Sequence, residues 1–507
     1  MLPLSYLLSL LFVALAAAWK FFKSPSLAEV PMESSYLPFF GSAFGFAAAP
    51  AAFLRRCQER WGNVFKVLLA GRTIVFFTAP EHVALVLKTK ALSFHPIVQE
   101  ICVTAFGHEP EFAVPTNWHY REVHALFTRH LVNSGGLDPL VQSTSVHQQA
   151  FLRPHVEAGG RRPLFSFVRQ GLFEANSRAL FGVAFCDRYA ELLDNYIAFD
   201  ESFPILASGI AHHPMLTPLT LTVVLAYRGL AAGEAIAQSF CDAIENPSLM
   251  DGCSQLLRDR NKLFQEMAKE TAARNMAGTQ LALVWAANSN SVPTAFWTIY
   301  HLLAHPAAWA AVVAEVQACL PKHDFDACSS WSKDALDQCV LLGSAIDEAL
   351  RLGSSSLILR QAVADVSVIV DKVLHNDSSK HHEWDRRRPV PLARGERIAM
   401  FPALQHMNAA LFDAPEAFRF DRFVHATKSQ RDALRPFGLG STLCPGRFLA
   451  KYQIKSWIAL MIQLMPNVRL VPGGAPAAFD KGRVGLGVYP PMADDAFIEF
   501  DALATSA

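Results

Sequence analysis

The segment that most restricts the fold of this chain covers residues 437–447 and fits the pattern F-x-x-G-x-x-x-C-x-G without a gap. Glycines allow a tight loop here, at Gly438, Gly440 and Gly446, and Pro445 suits the first turn of a helix. Residues 447–465 are long and apolar enough to predict a helix. The sequence therefore predicts a glycine-bent loop that places Cys444 at the N-terminus of a helix.

A cysteine in this position can act as a metal ligand. Backbone N–H groups of such a loop face the Cys444 sulfur, and the positive end of the helix favours the thiolate. A thiolate held in this way is a suitable fifth ligand for haem iron, where it favours cleavage of an O–O bond. The alternative is a buried structural thiol beside a glycine turn, which would be preferred for an isolated cysteine. The match to the full spacing favours the ligand.

The N-terminus predicts a membrane anchor. Residues 1–19 carry no charged side chain and would span ~28 Å as a helix, close to the ~30 Å hydrocarbon core. A cleaved signal peptide is the alternative, because residues 14–16 have the A-x-A form of a cleavage site. Lys20 and Lys23 follow the apolar run, which favours a retained anchor. We predict an anchor at 1–19, a Pro-spaced linker at 20–38 and one folded domain at 39–507.

Composition excludes several classes of protein. Hydrophobic residues make up 51% of the 507, so the chain has enough apolar surface to offset the entropy of folding. Lys+Arg and Asp+Glu both number 45, which argues against the clustered positive charge of a nucleic-acid binder.

Helical periodicity dominates the sequence, and residues 64–69 and 73–78 predict a hairpin. We therefore predict a mainly α fold with small β-sheets.

Three further charged residues support a specific family. Glu348 and Arg351 form E-x-x-R in a predicted helix, which places their charges on one face, and Arg422 follows later. Alone, E-x-x-R predicts only a solvated ion pair. Together with the cysteine loop, these residues resemble the cytochrome P-450 superfamily, and the resemblance covers essentially the whole chain. It implies the cytochrome P-450 fold, haem b (iron protoporphyrin IX) with Cys444 as axial ligand, and a structural triad of Glu348, Arg351 and Arg422.

The resemblance extends to one branch of the superfamily, which includes cholesterol 7α-hydroxylase, sterol 12α-hydroxylase and prostacyclin synthase. The segments that carry it are residues 37–43, 105–108, 285–286, 348–352 with 358–360, and 485–487 with 490–491.

The same resemblance implies residues that contact the cofactor. In the cysteine loop these are Phe437, Gly438 and Gly446. Arg360 is the expected partner of a haem propionate, and His406 is expected to face the haem region. Arg121 is a second candidate for a propionate, although the family's W-x-x-x-R is one residue short here, which leaves Arg129 as its alternative. Thr442 stands where most members have a basic residue that contacts a haem propionate. Another residue must therefore supply that contact here.

The central helix departs from the family pattern. Most members carry an acid and a threonine that relay protons, and here Ser289 and Asn290 occupy those positions. An amide cannot act as an acid at neutral pH, although it donates hydrogen bonds. The candidate catalytic residues are therefore Asn290, Ser289, Ser291 and Thr294, with water carrying the proton. Pro293 removes a backbone hydrogen bond and predicts a kink or opening of the helix.

The resemblance implies a membrane-anchored haem-thiolate monooxygenase that hydroxylates a bulky lipophilic substrate, such as a sterol, steroid, terpenoid or similar polycycle, with O2. Neither a P-loop nor a G-x-G-x-x-G motif follows a clear strand. Electrons are therefore expected from a separate NADPH–cytochrome reductase, with cytochrome b5 as an optional second donor. Membrane lipid is an expected partner and nucleic acid is not. The expected location is the endoplasmic reticulum membrane, with a single span and a cytoplasmic catalytic domain at 39–507.

Two other functions fit the same residues. An isomerase or dehydratase would use the iron to cleave an O–O bond already present in the substrate, without external electrons, as prostacyclin synthase does within the same branch. A non-catalytic haem- or sterol-binding protein would form no product under any electron supply. The sequence alone does not separate these functions.

Overall fold

The computed structural model describes residues 30–35, 37, 39–114, 118–208, 220–267, 272–322, 331–370, 388–473 and 476–503. The predicted anchor at 1–19 and most of the predicted linker at 20–38 lie outside these residues. Within the described part of the chain, no single helix is long and apolar enough to cross a membrane. Ala273–Ala304 and Pro306–Cys319 meet those criteria only when taken together across a 112° bend. The assignment of 39–507 to one catalytic domain stays a prediction.

Most of the described chain is helical. The helices are Ala43–Ala48, Pro50–Trp61, Pro80–Lys88, His95–Thr104, Trp118–Phe127, Ser134–Ala158, Leu164–Phe181, Val183–Arg188, Leu192–Ser208, Thr220–Glu245, Gln255–Met267, Ala273–Asn288, Ser291–Ala304, Pro306–Cys319, Lys333–Asp337, Val340–Gly353, Ala403–His406, Lys428–Ala433 and Arg447–Leu464. One π-helical turn, Thr128–Val132, and three 3₁₀ turns, Pro247–Met250, Gly440–Thr442 and Lys481–Arg483, add to these. The strands belong to small sheets, so the prediction of a mainly α fold with small β-sheets is confirmed.

The chain divides into two compact units. The first combines the described residues up to Phe94 with Leu357–Gln405. It holds a five-stranded sheet in the spatial order Val64–Leu69, Arg72–Phe77, Arg397–Met400, Ile358–Ala362, Leu92–Ser93, and a two-stranded sheet of Val366–Val370 with Arg388–Leu392. Aliphatic side chains such as Val75 and Ile398 are fully buried in its core, because strands covered on both faces retain branched apolar residues.

The predicted hairpin is confirmed with a shift of one residue. Val64–Leu69 pairs antiparallel with Arg72–Phe77, and Leu69 lies opposite Arg72. The two connecting residues, Ala70 and Gly71, have φ of +47° and +81°, as a tight hairpin turn requires. A Cβ atom at Gly71 would lie 2.5 Å from the Phe39 ring, so glycine is required here on two grounds.

The second unit, His95–Ser356 with His406–Ala507, holds most of the helices. Its core is rich in aromatic side chains, among which Trp297 and Trp457 are almost completely buried. Trp297 lies on the interrupted central helix (Ala273–Asn288 and Ser291–Ala304), and Trp457 lies on the helix that follows the cysteine loop. A three-stranded sheet, in the order Gly160–Pro163, Phe497–Phe500, Arg469–Leu470, belongs to the same unit. The cysteine loop, the triad residues and the central helix are therefore all parts of this one unit.

Candidate active site

The cysteine loop is closed by its own backbone. The Cys444 N–H donates to the Phe437 carbonyl oxygen at 3.0 Å, and the Leu443 N–H donates to the Gly440 carbonyl oxygen at 3.1 Å. Gly438 and Gly440 have φ of +79° and +70°, a region that disfavours any residue with a Cβ atom. The loop thus needs glycine at these two positions.

The helix that begins at Arg447 places N–H groups near the Cys444 sulfur. Burial raises the pKa of the Cys444 thiol, whereas backbone hydrogen bonds from Gly446 and Arg447 and the charge of Arg447 lower it. These donors favour a thiolate, so the loop fits a metal ion that takes sulfur as a ligand. Gly446 has an ordinary φ of −79°, and a Cβ atom there would lie 3.9 Å from the sulfur, an ordinary contact. The sulfur therefore does not by itself require glycine at 446.

A second cysteine at a helix N-terminus, Cys339, is buried and has different surroundings. Cys339 precedes the helix Val340–Gly353, but the Glu315 carboxylate accepts the N–H bonds of Leu341 and Leu342 at 2.6 and 2.9 Å. Burial and the charge of Glu315 raise the pKa of Cys339 to about 12. Burial raises the pKa of both thiols, but of these two cysteines only Cys444 has backbone N–H donors at its sulfur that offset part of the rise.

Glu348 is the centre of a buried ionic cluster. Its two carboxylate oxygens each lie 2.8 Å from an Arg351 nitrogen, and Arg422 Nε donates to the same oxygens at 2.9 and 3.0 Å. The Glu348 and Arg351 side chains are 0% exposed and that of Arg422 is 4% exposed. Paired bonds of this kind satisfy charges that would be costly to bury alone.

The remaining guanidinium donors shape the chain before the cysteine loop. Arg351 Nη1 donates to the carbonyl oxygens of His406 and Pro415 at 2.7 and 2.6 Å. Arg422 Nη1 donates to the Asp413 carbonyl oxygen at 2.8 Å. Residues 406–417 form no long helix or strand, so the two arginines supply the donors that their carbonyl groups lack.

His406 connects this cluster to the cysteine loop. It is fully buried, and its Nε2 accepts the N–H of Arg435 at 3.1 Å, two residues before Phe437. Burial, with a smaller effect of the Arg351 charge, lowers the pKa of His406 to about 3, so the ring stays neutral. The sequence identified His406 only through the family; its bond to Arg435 depends on tertiary structure.

The central helix is interrupted at Ser289 and Asn290, one turn before Pro293. In a continuous helix the Ser289 carbonyl would accept the N–H of residue 293, and proline has none. The Thr294 N–H still reaches the Asn290 carbonyl oxygen at 3.2 Å. Pro293 predicts an opening of the helix, and the interruption lies where the backbone N–H that proline lacks would have donated.

The four candidate catalytic side chains differ in their hydrogen bonds. Thr294 Oγ1 donates to the Asn290 carbonyl oxygen at 2.6 Å, and Ser291 Oγ donates to that of Ala287 at 3.2 Å. Asn290 Nδ2 donates to Ser289 Oγ at 3.4 Å. The hydroxyl protons of Ser291 and Thr294 are thus used within their own helix, and that of Ser289 is not.

The C-terminal loop 485–488, which includes residues 485–487 that resemble one branch of the family, holds Asn290. Val488 N–H donates to Asn290 Oδ1 at 2.8 Å. Gly487 has φ of +124°, and a Cβ atom there would lie 1.9 Å from Asn290 Oδ1. Ser355 Oγ donates to the Gly487 carbonyl oxygen at 3.0 Å. In the sequence, Gly487 was the residue that could have indicated this contact, because only glycine allows the backbone to approach a side chain so closely.

The two arginines expected at the propionates lie in different surroundings. Arg121 is exposed on the helix Trp118–Phe127 of the second unit. Arg360 belongs to the first unit, is 4% exposed, and has its guanidinium 5.7 Å from the Phe94 ring centroid. Burial lowers the pKa of Arg360. Their contacts with a cofactor stay predictions.

Comparison with known proteins identifies the family of the chain. The profile of the family described as Cytochrome P450 matches residues 31–491. The chain is 27% identical to cholesterol 7-alpha-monooxygenase of Cricetulus griseus, over 98% of this chain and 99% of that protein. It is 24% identical to 7-alpha-hydroxycholest-4-en-3-one 12-alpha-hydroxylase of Oryctolagus cuniculus, over 92% of each chain. It is 25% identical to 5-beta-cholestane-3-alpha,7-alpha-diol 12-alpha-hydroxylase of Sus scrofa, again over 92% of each.

Proposed function

The chain belongs to the cytochrome P450 family, and from that premise we propose that it hydroxylates a sterol or another bulky lipophilic polycycle, using O2 and electrons from a separate reductase. As a member of this family, the chain is an oxidoreductase whose cofactor is haem b, held by a cysteine thiolate. Bound haem supplies the chemistry that activates oxygen, while the chain binds the cofactor and orients the substrate.

The observation that carries this proposal is the set of N–H donors around the Cys444 sulfur. We assign Cys444 as the axial ligand, and Phe437, Gly438 and Gly446 as the loop that lies against the cofactor. Because the donors belong to a closed loop and to the start of a buried helix, the sulfur is held in place before the cofactor binds.

The buried cluster of Glu348, Arg351 and Arg422 has a structural role in this proposal. It orders residues 406–417, and His406 then fixes Arg435 at the entrance of the cysteine loop. Arg121 and Arg360 are proposed as partners of the haem propionates, since a guanidinium pairs well with a carboxylate.

An aromatic cluster beside the central helix supports a flat apolar substrate. The ring centroid of Phe106 lies 6.0, 5.7 and 6.1 Å from those of Phe199, Phe203 and Trp285. Phe203 and Trp285 stack at 3.8 Å. Phe106, Phe199 and Phe203 are buried, so we propose this cluster as the apolar wall beside which the ring system of a polycycle would bind. The similarity to the sterol hydroxylases reported above favours a sterol or a bile-acid precursor.

We also propose a membrane anchor and electron-donor partners for this chain. Residues 1–19 are proposed as a single-pass anchor in the endoplasmic reticulum membrane, in contact with lipid, with the catalytic domain in the cytoplasm. An NADPH–cytochrome reductase is proposed as the electron donor and cytochrome b5 as an optional second donor. Fractionation of cells that express the full chain and a variant lacking residues 1–19 tests the anchor: only the full chain should sediment with membranes.

The assignment of Cys444 as the axial ligand of the haem iron is tested by the carbon monoxide difference spectrum of the reduced full chain. The wild type should give the thiolate spectrum, and Cys444→Ala should lose it together with all turnover. Cys339→Ala is the matched control, because it removes a buried thiol at another helix N-terminus, and it should keep the spectrum. A thiolate spectrum in Cys444→Ala contradicts the assignment.

The reaction class is tested by supplying electrons and peroxides separately. The monooxygenase should form a hydroxylated sterol only with O2, NADPH and reductase. Turnover of a hydroperoxide or endoperoxide without NADPH, and none of a sterol with it, would identify an isomerase or dehydratase instead. No product under either condition would identify a binding protein.

A further inference from the structure

We propose that a pocket in the second unit, on one side of the central helix, binds a lipophilic carboxylate through the side chains of Arg169 and Tyr196. Neither Cys444 of the cysteine loop nor Phe106 of the aromatic cluster belongs to the wall of this pocket. The pocket is therefore a second ligand site, separate from the site proposed for the sterol, and it does not depend on the reaction that the chain catalyses.

The pocket has a volume of about 460 Å³, which lies within the range of pockets that bind small organic molecules. Its wall is formed by the helices Leu164–Phe181 and Leu192–Ser208, by the central helix at and after its interruption, and by residues between 480 and 492. Met492 lies on the wall and is 68% exposed, so a ligand can enter from the surface.

Apolar side chains line much of this pocket. They come from the helix Leu192–Ser208, from the central helix and from the chain near its C-terminus, and they include Pro204, Ile205, Val292, Pro293, Pro490 and Pro491. Burial of hydrocarbon against such side chains is favourable. The wall therefore suits a ligand with an apolar body.

Tyr196 contributes a buried hydroxyl without a partner. The residue is 3% exposed, and its hydroxyl makes no hydrogen bond to any residue that the structure describes. Burial, together with the charge of Asp200, raises the pKa of Tyr196 well above its ordinary value of 10, so the hydroxyl keeps its proton. The charged groups that act on this hydroxyl are Asp200, Arg483 and Arg169, and all three line the pocket. The hydroxyl is thus a hydrogen-bond donor at the pocket wall that lacks an acceptor.

Arg169 supplies a positive charge beside this hydroxyl. It is half-buried on the pocket wall, and its guanidinium carbon lies 5.2 Å from the centre of the Phe165 ring, one helical turn earlier. Its charge lowers the pKa of Tyr196, against the larger effect of burial, because the two groups are close together. Within the described chain Arg169 has no carboxylate partner. The ring holds the guanidinium in place, and its N–H donors stay available to a ligand.

The other arginine on the wall, Arg483, is already neutralised. Its Nη1 and Nη2 lie 2.7 and 3.0 Å from the two carboxylate oxygens of Asp200, and each side chain is 16% exposed. The Trp285 N–H donates to the same carboxylate at 2.9 Å. This pair therefore leaves neither of its charges to a ligand.

Two further carboxylates on the wall also have partners. Glu201 Oε2 lies 3.3 Å from Arg228 Nη1, and Asp480 Oδ1 accepts the Gly482 N–H at 3.0 Å.

The unpaired guanidinium of Arg169 and the unpaired hydroxyl of Tyr196 both need an acceptor. A carboxylate can accept one bond at each of its oxygens, and it neutralises the Arg169 charge. A ligand that joins a carboxylate to an apolar body therefore satisfies both the donors and the apolar side chains of this pocket.

The site is tested by isothermal titration calorimetry of the haem-loaded full chain with two lipophilic carboxylates. Decanoate has a linear apolar body, and abietate has a body of three fused rings. Saturable binding of either supports the site, and the tighter of the two shows whether a fatty acid or a polycyclic acid is the better occupant. An absence of saturable binding for both overturns the inference.

The chemistry of the ligand is tested with decanol, which keeps the apolar body of decanoate without its charge. Decanol should bind at least about 10-fold more weakly, because it cannot neutralise Arg169. Equal affinities for decanol and decanoate would overturn the assignment of a carboxylate.

Two variants remove the donors one at a time. Arg169→Gln should raise the Kd for decanoate by about 10-fold or more, and Tyr196→Phe should raise it by about 3-fold to 10-fold. Neither group has a polar partner to lose, so the melting temperature without ligand should stay close to that of the wild type. Arg188→Gln is the matched control, because Arg188 also stacks over a ring, that of Tyr189 at 5.8 Å, but is not part of the pocket wall. The control should leave the Kd unchanged, and an unchanged Kd in Arg169→Gln overturns the inference.

Econazole, a bulky imidazole compound that ligates haem iron, distinguishes this site from the sterol site. Decanoate should bind with the same Kd in its presence, and a crystal structure should show the carboxylate within about 3.2 Å of Arg169 and Tyr196. Loss of decanoate binding with econazole would place the carboxylate in the sterol site and overturn this inference alone. A wild type that forms no hydroxylated sterol but binds decanoate would overturn the proposed function and support this site.

Discussion

Asn290 Oδ1 accepts a hydrogen bond from the Val488 N–H at 2.8 Å, across 198 positions of sequence. The bond joins the interruption of the central helix to the C-terminal loop, and Gly487 makes the approach possible because it lacks a side chain. Asn290, which the resemblance to the family predicts at the position of a proton-relaying threonine, thus holds the C-terminal loop. The bond therefore depends on the absence of a side chain at Gly487.

Gly487→Ala should destabilise the fold by about 3 kcal/mol or more, because the new Cβ atom would meet Asn290 Oδ1 and the φ of +124° disfavours alanine. Denaturant unfolding measures this. Gly252→Ala is the matched control, with φ of +77° and nothing within 4 Å of the new atom, and should cost about 1–2 kcal/mol. Adding Asn290→Ala to Gly487→Ala should recover part of the loss. Equal effects of the two glycine substitutions would contradict the steric argument.

Glu348→Gln should destabilise the fold by about 3–5 kcal/mol, since it leaves the two buried guanidinium groups of Arg351 and Arg422 without a carboxylate. Haem content per chain should fall with it, because residues 406–417 lose their order. Unfolding curves and the absorbance of bound haem measure both effects. Glu157→Gln breaks an exposed pair with Arg153 and should cost less than about 0.5 kcal/mol. A Glu348→Gln protein as stable as that control would show that the cluster is dispensable.

Asp200→Ala should destabilise the fold by about 2–3 kcal/mol, because Arg483 and the Trp285 N–H would both lose their acceptor in a partly buried site. The double variant Asp200→Ala with Arg483→Met should be more stable than Asp200→Ala alone, since it removes the unpaired charge. A double-mutant cycle by denaturant unfolding measures the coupling. If the two substitutions had strictly additive effects on the free energy of unfolding, the pairing of Asp200 with Arg483 would contribute no stability.

The free energy of unfolding should decrease as the pH falls from about 6.5 to about 4, in part because of His108. Burial lowers the pKa of this histidine from 6.5 to about 4. In that interval the unfolded chain binds a proton that the folded chain does not, so acid favours unfolding, by up to about 1.4 kcal/mol per pH unit. His108→Gln should flatten the profile, because it removes this proton-binding group. Parallel profiles for the wild type and His108→Gln would contradict this.

Several local features could be predicted from the sequence because they depend on neighbouring residues. The glycines at 438 and 440 permit the positive φ values of the cysteine loop, and the helix that follows directs N–H groups to Cys444. Pro293 accounts for the interruption at Ser289 and Asn290, and E-x-x-R accounts for the pairing of Glu348 with Arg351. Each effect acts within about one helical turn, the range over which residue type controls backbone geometry.

Tertiary structure decided which distant groups meet. Arg422 joins Glu348 across 74 positions, Arg483 joins Asp200 across 283, and Val488 reaches Asn290 across 198. Such contacts form when the whole chain buries its apolar surface, so their energy depends on all the packed elements together and not on a local pattern.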